Sequence, residues 1–264
     1  MRTLSLTALL IFLLAAPAAL ALPVVHGNFA GTNVQFQQVT ETTQTAGDDE
    51  CLFTAPDGNP ANNACAGTPL AFGDSLLFFP TVFSATATGA GGADTTHSLL
   101  SMFVAANPLT TIDQLKIDEF GDVLLTGVGN PVTSASVSMS GFVTVIQTTT
   151  GPCLLGPGCT IGFTGTLNPA GTYSLPGDGG PPAILWSGGV LVDIASQVPD
   201  ATWVQLQFDN ILNAASESGT SATIQKKVVS GPAIAVTIIP EPATGSLLGL
   251  GLLGLLLLKR PGTR

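Results

Sequence analysis

Hydrophobic and polar residues alternate along much of the chain between Leu22 and Ile238. The alternation is clear in Val34–Phe36, in Val143–Val145 and in Trp203–Phe208, where hydrophobic side chains recur at every second position. No stretch in this part of the chain keeps a 3.6-residue hydrophobic spacing over three helical turns. A two-residue period is typical of half-buried β-strands. The pattern therefore predicts strands and no helices.

Turn-forming residues separate the alternating segments. They are Gly47-Asp48, Asp57-Gly58, Gly121-Asp122, Gly177–Gly180 and Gly188-Gly189. Many short strands with frequent turns and no helical crossovers favour an all-β fold, an antiparallel β-sandwich or jelly-roll-like domain over residues 22–238. The stretches 151–158 and 176–182 are rich in Gly and Pro. We interpret them as loops of one domain, the alternative being a boundary between two subdomains.

The first 21 residues have the organisation of a secretory signal peptide. Arg2 precedes the apolar run Leu9–Leu14, and the run is followed by the small residues of Ala19-Leu20-Ala21. A positive start, a short apolar centre and an A-x-A exit are the three parts of such a signal. The sequence thus predicts a signal peptide at residues 1–21 and a mature chain that begins at Leu22.

The carboxyl end contains a second apolar segment, Ala243–Leu258, which carries no charge. As a helix it would be about 24 Å long, against about 30 Å of membrane hydrocarbon. We predict a single transmembrane helix at 243–258, with Lys259, Arg260 and Arg264 as the stop-transfer residues that hold the tail on the cytoplasmic side.

The tripeptide Pro240-Glu241-Pro242 stands directly before this segment. The ordered set of Pro-Glu-Pro, a Gly- and Leu-rich span and a short basic end resembles the PEP-CTERM sorting signal of Gram-negative bacteria that make exopolysaccharide. In that family exosortase, an integral-membrane cysteine peptidase, is thought to recognise and process the signal. The alternative is a plain tail anchor in which the prolines only start the helix.

The resemblance implies a sorting signal at residues 239–264, in which Pro240, Glu241 and Pro242 are the recognition motif. Exosortase is then a partner of the protein, and the membrane is a second partner through the carboxyl-terminal helix. The resemblance also implies export across the inner membrane, transient anchoring there, and a final place at the cell surface or outside the cell.

Several segments within residues 22–238 are similar to blocks of uncharacterised PEP-CTERM proteins, which have no assigned activity. The segments are Phe29–Gly31, Ile117–Asp122, Asp209–Ala214, Ser216–Gly219 and Ile224–Lys227. From their residues alone, the last three predict a strand, a turn and a return strand, with Lys226 and Lys227 as solvated ends.

Four cysteines in an exported chain suggest two disulfides, for which three connectivities exist. We expect neighbours in the sequence to pair, Cys51 with Cys65 and Cys153 with Cys159. The first pair would close a polar loop from Phe53 to Ala64. The alternative, a zinc site made of all four thiolates, lacks any C-x-x-C spacing, so no metal is predicted.

Two groups of acidic residues keep a structural calcium ion as an alternative, since hard cations bind clustered carboxylates. They are Asp48–Glu50, and Asp118-Glu119 together with Asp122. Neither group has the spacing of an EF-hand loop.

One pattern resembles a catalytic motif. Phe72–Leu76 matches the nucleophile block of the GDSL esterases, and Asp94–His97 has the D-x-x-H spacing of that family. In that family the two blocks lie at opposite ends of an α/β domain, whereas here they are close in sequence. We therefore interpret Gly73-Asp74 as a turn that leads into a strand, and His97 as a polar residue at a strand edge. No catalytic residue is predicted.

The composition of the chain limits the partners and cofactors that we expect. The chain has 7 basic and 17 acidic residues, a formal net charge of −10, and only 9% charged residues. This acidic balance argues against nucleic acid as a partner, because phosphate contacts need clustered Lys and Arg. No phosphate loop, dinucleotide fingerprint or H-E-x-x-H motif is present, so no cofactor is predicted.

We expect a non-enzymatic structural or binding component of the exopolysaccharide and biofilm matrix, with exopolysaccharide itself as a partner. The alternative is a secreted carbohydrate- or ester-active hydrolase whose active site the sequence does not reveal. Paired carboxylates of the kind that glycosidases use keep this alternative open.

Overall fold

The computed structural model describes residues 22–58, 65–153, 156–228 and 231–241. The predicted signal peptide, Pro242, the predicted transmembrane helix and the basic tail lie outside the described residues. Within them the chain is all-β, and the only helical element is a short 3-10 turn at Pro157–Cys159. The prediction of an all-β fold is confirmed.

Sixteen strands make up the described part of the chain. In chain order they are β1 (Val24–Ala30), β2 (Val34–Thr43), β3 (Leu70–Phe72), β4 (Ser75–Phe78), β5 (Ser84–Thr88), β6 (Gly92–Ala106), β7 (Ile112–Thr126), β8 (Ser134–Thr148), β9 (Gly151–Pro152), β10 (Thr160–Thr164), β11 (Thr166–Asn168), β12 (Thr172–Ser174), β13 (Ile184–Asp193), β14 (Ala201–Ser216), β15 (Ser221–Lys226) and β16 (Ile234–Pro240).

The strands form two antiparallel sheets that pack face to face. Sheet I has the order β1-β2-β6-β14-β8-β10, with the short strands β9 and β12 also paired to β8. Sheet II has the order β11-β13-β7-β16-β4-β3, and β15 joins β7 to β5. Every second side chain of the long strands points into the space between the sheets, as the alternating sequence predicts. The result is the antiparallel sandwich that the sequence indicated.

An aromatic cluster lies at the centre of the core. The ring centroid of Phe53 is 5.8 Å from that of Phe78, 5.4 Å from that of Phe83 and 6.2 Å from that of Phe208. Phe53 belongs to the loop between β2 and β3, and its side chain is fully buried. The prediction that Phe53 begins a polar loop is therefore wrong, because this part of the loop closes the core.

Two predicted turns lie inside strands instead. Gly121 is in the middle of β7, and Gly188-Gly189 is in the middle of β13. A side chain at Gly121 would overlap the ring of Trp186 on the neighbouring strand. Glycine is needed here for close packing of a large ring and not for a reversal of the chain.

The longest strand, β14, is central to sheet I, since it pairs with β6 along one side and with β8 along the other. The chain then turns at 217–220 and enters β15, which pairs with β5 and β7 of sheet II. The predicted order of strand, turn and return strand is present. The return strand lies in the opposite sheet, so β14 and β15 form an arch across the core.

Candidate functional site

The outer face of sheet I carries rows of polar side chains on its long strands. The outward positions of β8 are occupied by the serines of an alternating run: Ser134, Ser136, Ser138 and Ser140. Those of β14 include Gln205, Gln207, Asp209 and Asn213. Hydroxyl and amide groups therefore form rows across neighbouring strands, a consequence of the two-residue strand period.

The register fixes which of these residues are neighbours. Asp209 lies opposite Ser140 on one side and opposite Leu99 on the other. Gln207 lies opposite Phe142 and Ser101 in the next row.

Three shallow pockets of about 280, 330 and 250 Å³ lie on this face. The first crosses β6, β14 and β8, and its lining includes His97, Gln207, Asp209, Ser140 and Phe142. We call the surface around this pocket the β14 groove.

Aromatic rings flank the β14 groove. Phe142 is 54% exposed, and its ring lies over Gly162 of β10, where a side chain would come into contact with it. Further along the face the rings of Phe103 and Trp203 pack against each other at an angle of 41°, with their centroids 5.5 Å apart. Exposed rings beside amide and hydroxyl groups combine an apolar platform with hydrogen-bonding partners.

Charge is almost absent from this face. Among the outward positions of β6, β8 and β14, all of which the structure describes, Asp209 is the only acidic residue and His97 the only basic one. The two side chains share a hydrogen bond of 2.5 Å between His97 Nε2 and a carboxylate oxygen of Asp209. Each is about one third exposed, at 30% and 33%.

His97 lies within β6, which has strands on both sides, so its placement at a strand edge is wrong. The esterase-like residues are not brought together either. The hydroxyl of Ser75 bonds to Thr237 at 2.8 Å in sheet II, and Asp94 accepts a hydrogen bond from the backbone N–H of Thr86 at 2.7 Å. His97 has Asp209 as its partner, a pairing that sequence separation alone does not suggest.

The two lysines at the end of β15 have different surroundings. The Lys226 side chain is fully buried, and its Nζ lies 2.6 Å from Oε2 of Glu119. Lys227 is half exposed and pairs with Asp122 at 2.9 Å. The prediction of two solvated lysines is wrong for Lys226, because β15 crosses the core and directs this side chain inward.

The acidic group of β7 does not form a cluster around a common point. Asp118 pairs with Lys116 at 2.8 Å, while Glu119 and Asp122 each pair with a different lysine. Successive side chains of a strand point to opposite faces, which separates Asp118 from Glu119. These carboxylates are matched to lysines in this arrangement and are not directed at a shared cation.

A second buried carboxyl lies on β2. Glu41 is fully buried, accepts a hydrogen bond from the backbone N–H of Phe53 at 2.8 Å, and lies 3.5 Å from His26 Nε2. Burial raises the pKa of Glu41, and the hydrogen bond and charge of His26 oppose this. Cys65 is near this pair, but its sulfur is in a disulfide and is not a thiolate ligand.

Both disulfides are present and join sequence neighbours. Cys51 bonds to Cys65, and Cys153 bonds to Cys159. The first bond ties down the loop that carries Phe53 into the core. The second closes the connection between β8 and β10, at the edge of sheet I.

The sorting motif begins where the sandwich ends. β16 runs to Pro240, two residues beyond the predicted domain boundary at 238, and Ile239 still pairs with β7. Glu241 is the last described residue and is exposed, with one carboxylate oxygen 3.3 Å from the hydroxyl of Thr111. Burial and the neighbouring Glu241 carboxylate raise the pKa of Asp113. The exposure of Glu241 places the described part of the motif, Pro240-Glu241, at the surface of the domain.

Residues 239–260 match the PEP-CTERM protein-sorting motif. The chain carries a PEP-CTERM sorting motif. The matched range contains Pro240, Glu241, Pro242, Lys259 and Arg260, and it ends before Arg264. The motif indicates a secreted protein that exosortase sorts to the cell surface, so exosortase is the processing partner that it implies.

The other comparisons add little about this chain. No curated protein matches the chain. Among solved structures, the enzymatically active domain of tailspike protein 4 from bacteriophage CBA120 aligns with 59% of this chain and 19% of its own, at 12% identity and a TM-score of 0.17. The chain thus spans about a fifth of that protein, and a TM-score of this size assigns neither fold nor function. In the described part of the chain, no helix is long and apolar enough to cross a membrane.

Proposed function

We propose that this protein is a non-enzymatic component of the extracellular matrix that binds a neutral polysaccharide along the β14 groove. Export takes it across the inner membrane of a Gram-negative bacterium, and exosortase then processes residues 239–264. The single observation that carries the binding proposal is the outer face of sheet I, where amides and hydroxyls lie beside the exposed ring of Phe142 on an almost uncharged surface.

The chemistry of this face supports a neutral glycan over a charged ligand. Sugar rings present hydroxyls at their edges and C–H groups on their faces. Gln207, Asp209 and the β8 serines offer hydrogen bonds to the first, and Phe142 offers an apolar surface to the second. The formal net charge of −10 disfavours an anionic polysaccharide unless a cation bridges the two.

A secreted hydrolase is the second candidate, because one observation favours it. The His97–Asp209 pair lines the same pocket as Ser140, and an imidazole oriented by a carboxylate is a general base. A hydrolase would turn over an ester or a glycan and lose that activity when His97 is replaced by Gln. A binding protein would leave the same substrates intact at any concentration.

The binding proposal is tested by replacing Phe142 with Ala in the protein isolated from the producing cells. Affinity electrophoresis in gels that contain a neutral glucan, or the neutral exopolysaccharide of the host, measures retardation. We expect the wild type to be retarded and Phe142→Ala to lose most of the retardation.

The matched control is Phe120→Ala, which removes an exposed ring from sheet II. Phe120 is 39% exposed, so the loss of apolar surface is comparable. This variant should be retarded like the wild type. Equal retardation of both variants, or none of the wild type in any neutral polysaccharide, would argue against the β14 groove as the site.

Sorting is tested at Glu241. If a membrane peptidase recognises Pro-Glu-Pro, Glu241→Gln should accumulate in the membrane with Arg264 still present, while the wild type loses its tail. If the prolines only start a helix, the substitution changes little, since the apolar span and its basic flank remain. Mass spectrometry of the carboxyl-terminal peptide distinguishes the two outcomes.

The control for this experiment is Glu217→Gln, the same chemical change in the turn between β14 and β15. It should be processed like the wild type. An intact Arg264 terminus in mature wild-type protein, in a strain that has the peptidase, would refute processing and leave a tail-anchored protein.

A further inference from the structure

Three polar side chains meet in the core between the sheets. Lys226 comes from the end of β15, Glu119 from β7 and Asn210 from β14. Oε2 of Glu119 lies 2.6 Å from Nζ of Lys226, and Oε1 of Glu119 accepts a hydrogen bond from Nδ2 of Asn210. One carboxylate therefore holds an amine and a carboxamide side by side.

The surroundings of this cluster are buried and aromatic. The side chains of Lys226 and Glu119 have no exposed surface, and Asn210 is fully buried. Nζ of Lys226 lies 5.2 Å from the ring centroid of Phe83 and 5.3 Å from that of Trp186. Among the described residues, the carbonyl oxygen Oδ1 of Asn210 has no hydrogen-bond partner, an unfavourable state for a buried polar atom.

Burial next to a carboxylate can turn the side chain of Lys226 into a nucleophile. Burial lowers the pKa of Lys226, which favours the neutral amine, while the charge of Glu119 opposes this. A neutral amine is the nucleophilic form of lysine, and a carboxylate in hydrogen-bond contact with it is a suitable proton acceptor. The fold holds the two reacting groups together permanently, which removes the entropic cost of an encounter.

We propose that Lys226 and Asn210 become joined by an amide bond between their side chains, with Glu119 as the catalytic acid and base. Glu119 takes a proton from Nζ of Lys226, and the amine attacks Cγ of Asn210. The new bond between Nζ and Cγ forms while the bond between Cγ and Nδ2 breaks. Glu119 returns a proton to the departing nitrogen.

The reaction balances without an oxidant, reductant or co-reactant. The lysine ammonium group brings three protons and the carboxamide two. One of these stays on the nitrogen of the new secondary amide, and four leave with the released nitrogen as an ammonium ion. The protein is then lighter than its sequence by one molecule of ammonia.

Such a bond would link the two sheets covalently. Asn210 belongs to sheet I and Lys226 to sheet II, and the arch from β14 to β15 is the chain segment that the bond would close. The bond would lie deep in the core, where proteases and reductants of the extracellular medium do not reach it. A surface protein gains from a cross-link that, unlike a disulfide, persists under reducing conditions.

The test is a peptide map of the full chain isolated in its folded state. Glu217 is the only acidic residue between Asn210 and Lys226, so a glutamate-specific protease cuts the chain between them. If the bond exists, the two peptides stay joined after this cut, and their combined mass is lower by one ammonia. Trypsin then cuts after Lys227 and not after Lys226.

Two variants complete the experiment. Glu119→Gln keeps the shape of the side chain and cannot accept the proton, so its peptides should separate at full mass. Lys227→Met, a change at the neighbouring lysine, should leave the bond intact. If Glu119→Gln fails to fold, the peptide map of the wild type alone shows whether the bond is present. Separate wild-type peptides at full mass would overturn the proposal and leave the cluster as a buried ion pair.

Discussion

Two neighbouring residues of β14 place polar pairs in opposite environments. Asp209 points outward and bonds to His97, and both side chains are about one third exposed, at 33% and 30%. Asn210 points inward and bonds to Glu119, which is paired with Lys226 at zero exposure for both side chains. The two pairs are one residue apart in sequence and on opposite faces of the same sheet.

The difference shows that burial decides what a polar pair can do. Water screens the pair at Asp209, so it adds little to stability and its groups are available to a ligand. The charges at Glu119 and Lys226 lost their hydration when the sheets packed, and each stabilises the other only while both are present. The first pair is suited to recognition and the second to holding or linking the sheets.

The largest effect is expected for Lys226→Met. This change leaves the buried carboxyl of Glu119 without its partner, which costs about 3–5 kcal/mol. Loss of the proposed cross-link would act in the same direction. Urea unfolding of the full chain measures the change in the free energy of unfolding.

Adding Glu119→Leu to Lys226→Met should recover the part of the loss that comes from the unpaired carboxyl, because no unpaired charge remains. A single Lys226→Met variant as stable as the wild type would mean that the buried pair does not hold the sheets together.

A smaller effect is expected for Asn210→Ala, which also removes the proposed cross-link but leaves Glu119 paired with Lys226. The substitution removes the hydrogen-bond donor to a buried carboxylate oxygen, which costs about 1–3 kcal/mol. The same urea experiment measures it. Asp209→Ala is the matched change on the outer face of β14. If Asn210→Ala lowers the free energy of unfolding no more than Asp209→Ala does, the two faces of β14 do not differ in the way described above.

Glu41 is another buried carboxyl, and its burial makes the stability of the protein depend on pH. Burial raises its pKa above the ordinary value of 4.5, so the folded protein binds the proton more tightly than the unfolded chain. The contribution of Glu41 to stability is then present below about pH 4.5 and is lost as the pH rises through the raised pKa, by about 1.4 kcal/mol for each pKa unit. Glu41→Gln should remove this loss.

The measurement for Glu41 is the free energy of unfolding between acid and neutral pH. Glu50→Gln, the same change in the adjacent loop, should keep the dependence of the wild type. Burial also raises the pKa values of Asp48 and Asp113, which leave a residual slope of the same sign. An unchanged slope in Glu41→Gln would contradict the assignment.

The smallest effect on stability is expected for Asp209→Ala. A pair that is about one third exposed contributes less than about 1 kcal/mol, so the free energy of unfolding should hardly change. Retardation by a neutral polysaccharide should nevertheless fall, since the carboxylate lines the β14 groove. A large loss of stability with unchanged binding would reverse the roles assigned to the two pairs.

The sequence predicted the features that depend on local pattern or on neighbours along the chain. The two-residue period of Trp203–Phe208 predicted a strand with one buried face. The short separations of Cys51 from Cys65 and of Cys153 from Cys159 predicted the observed bonds. The carboxyl-terminal motif was legible because a sorting signal is recognised as a linear segment.

What the sequence determined by itself is therefore the all-β class, the two disulfides and the sorting signal, since each follows from spacing within a short stretch of chain. The tertiary structure alone decided that Lys226 is buried, that His97 meets Asp209, and that Gly121 makes room for Trp186. These contacts join strands far apart in sequence, and they depend on which sheet each strand enters. A strand period gives the face on which a side chain lies, whereas only the packing of the sheets determines what covers that face.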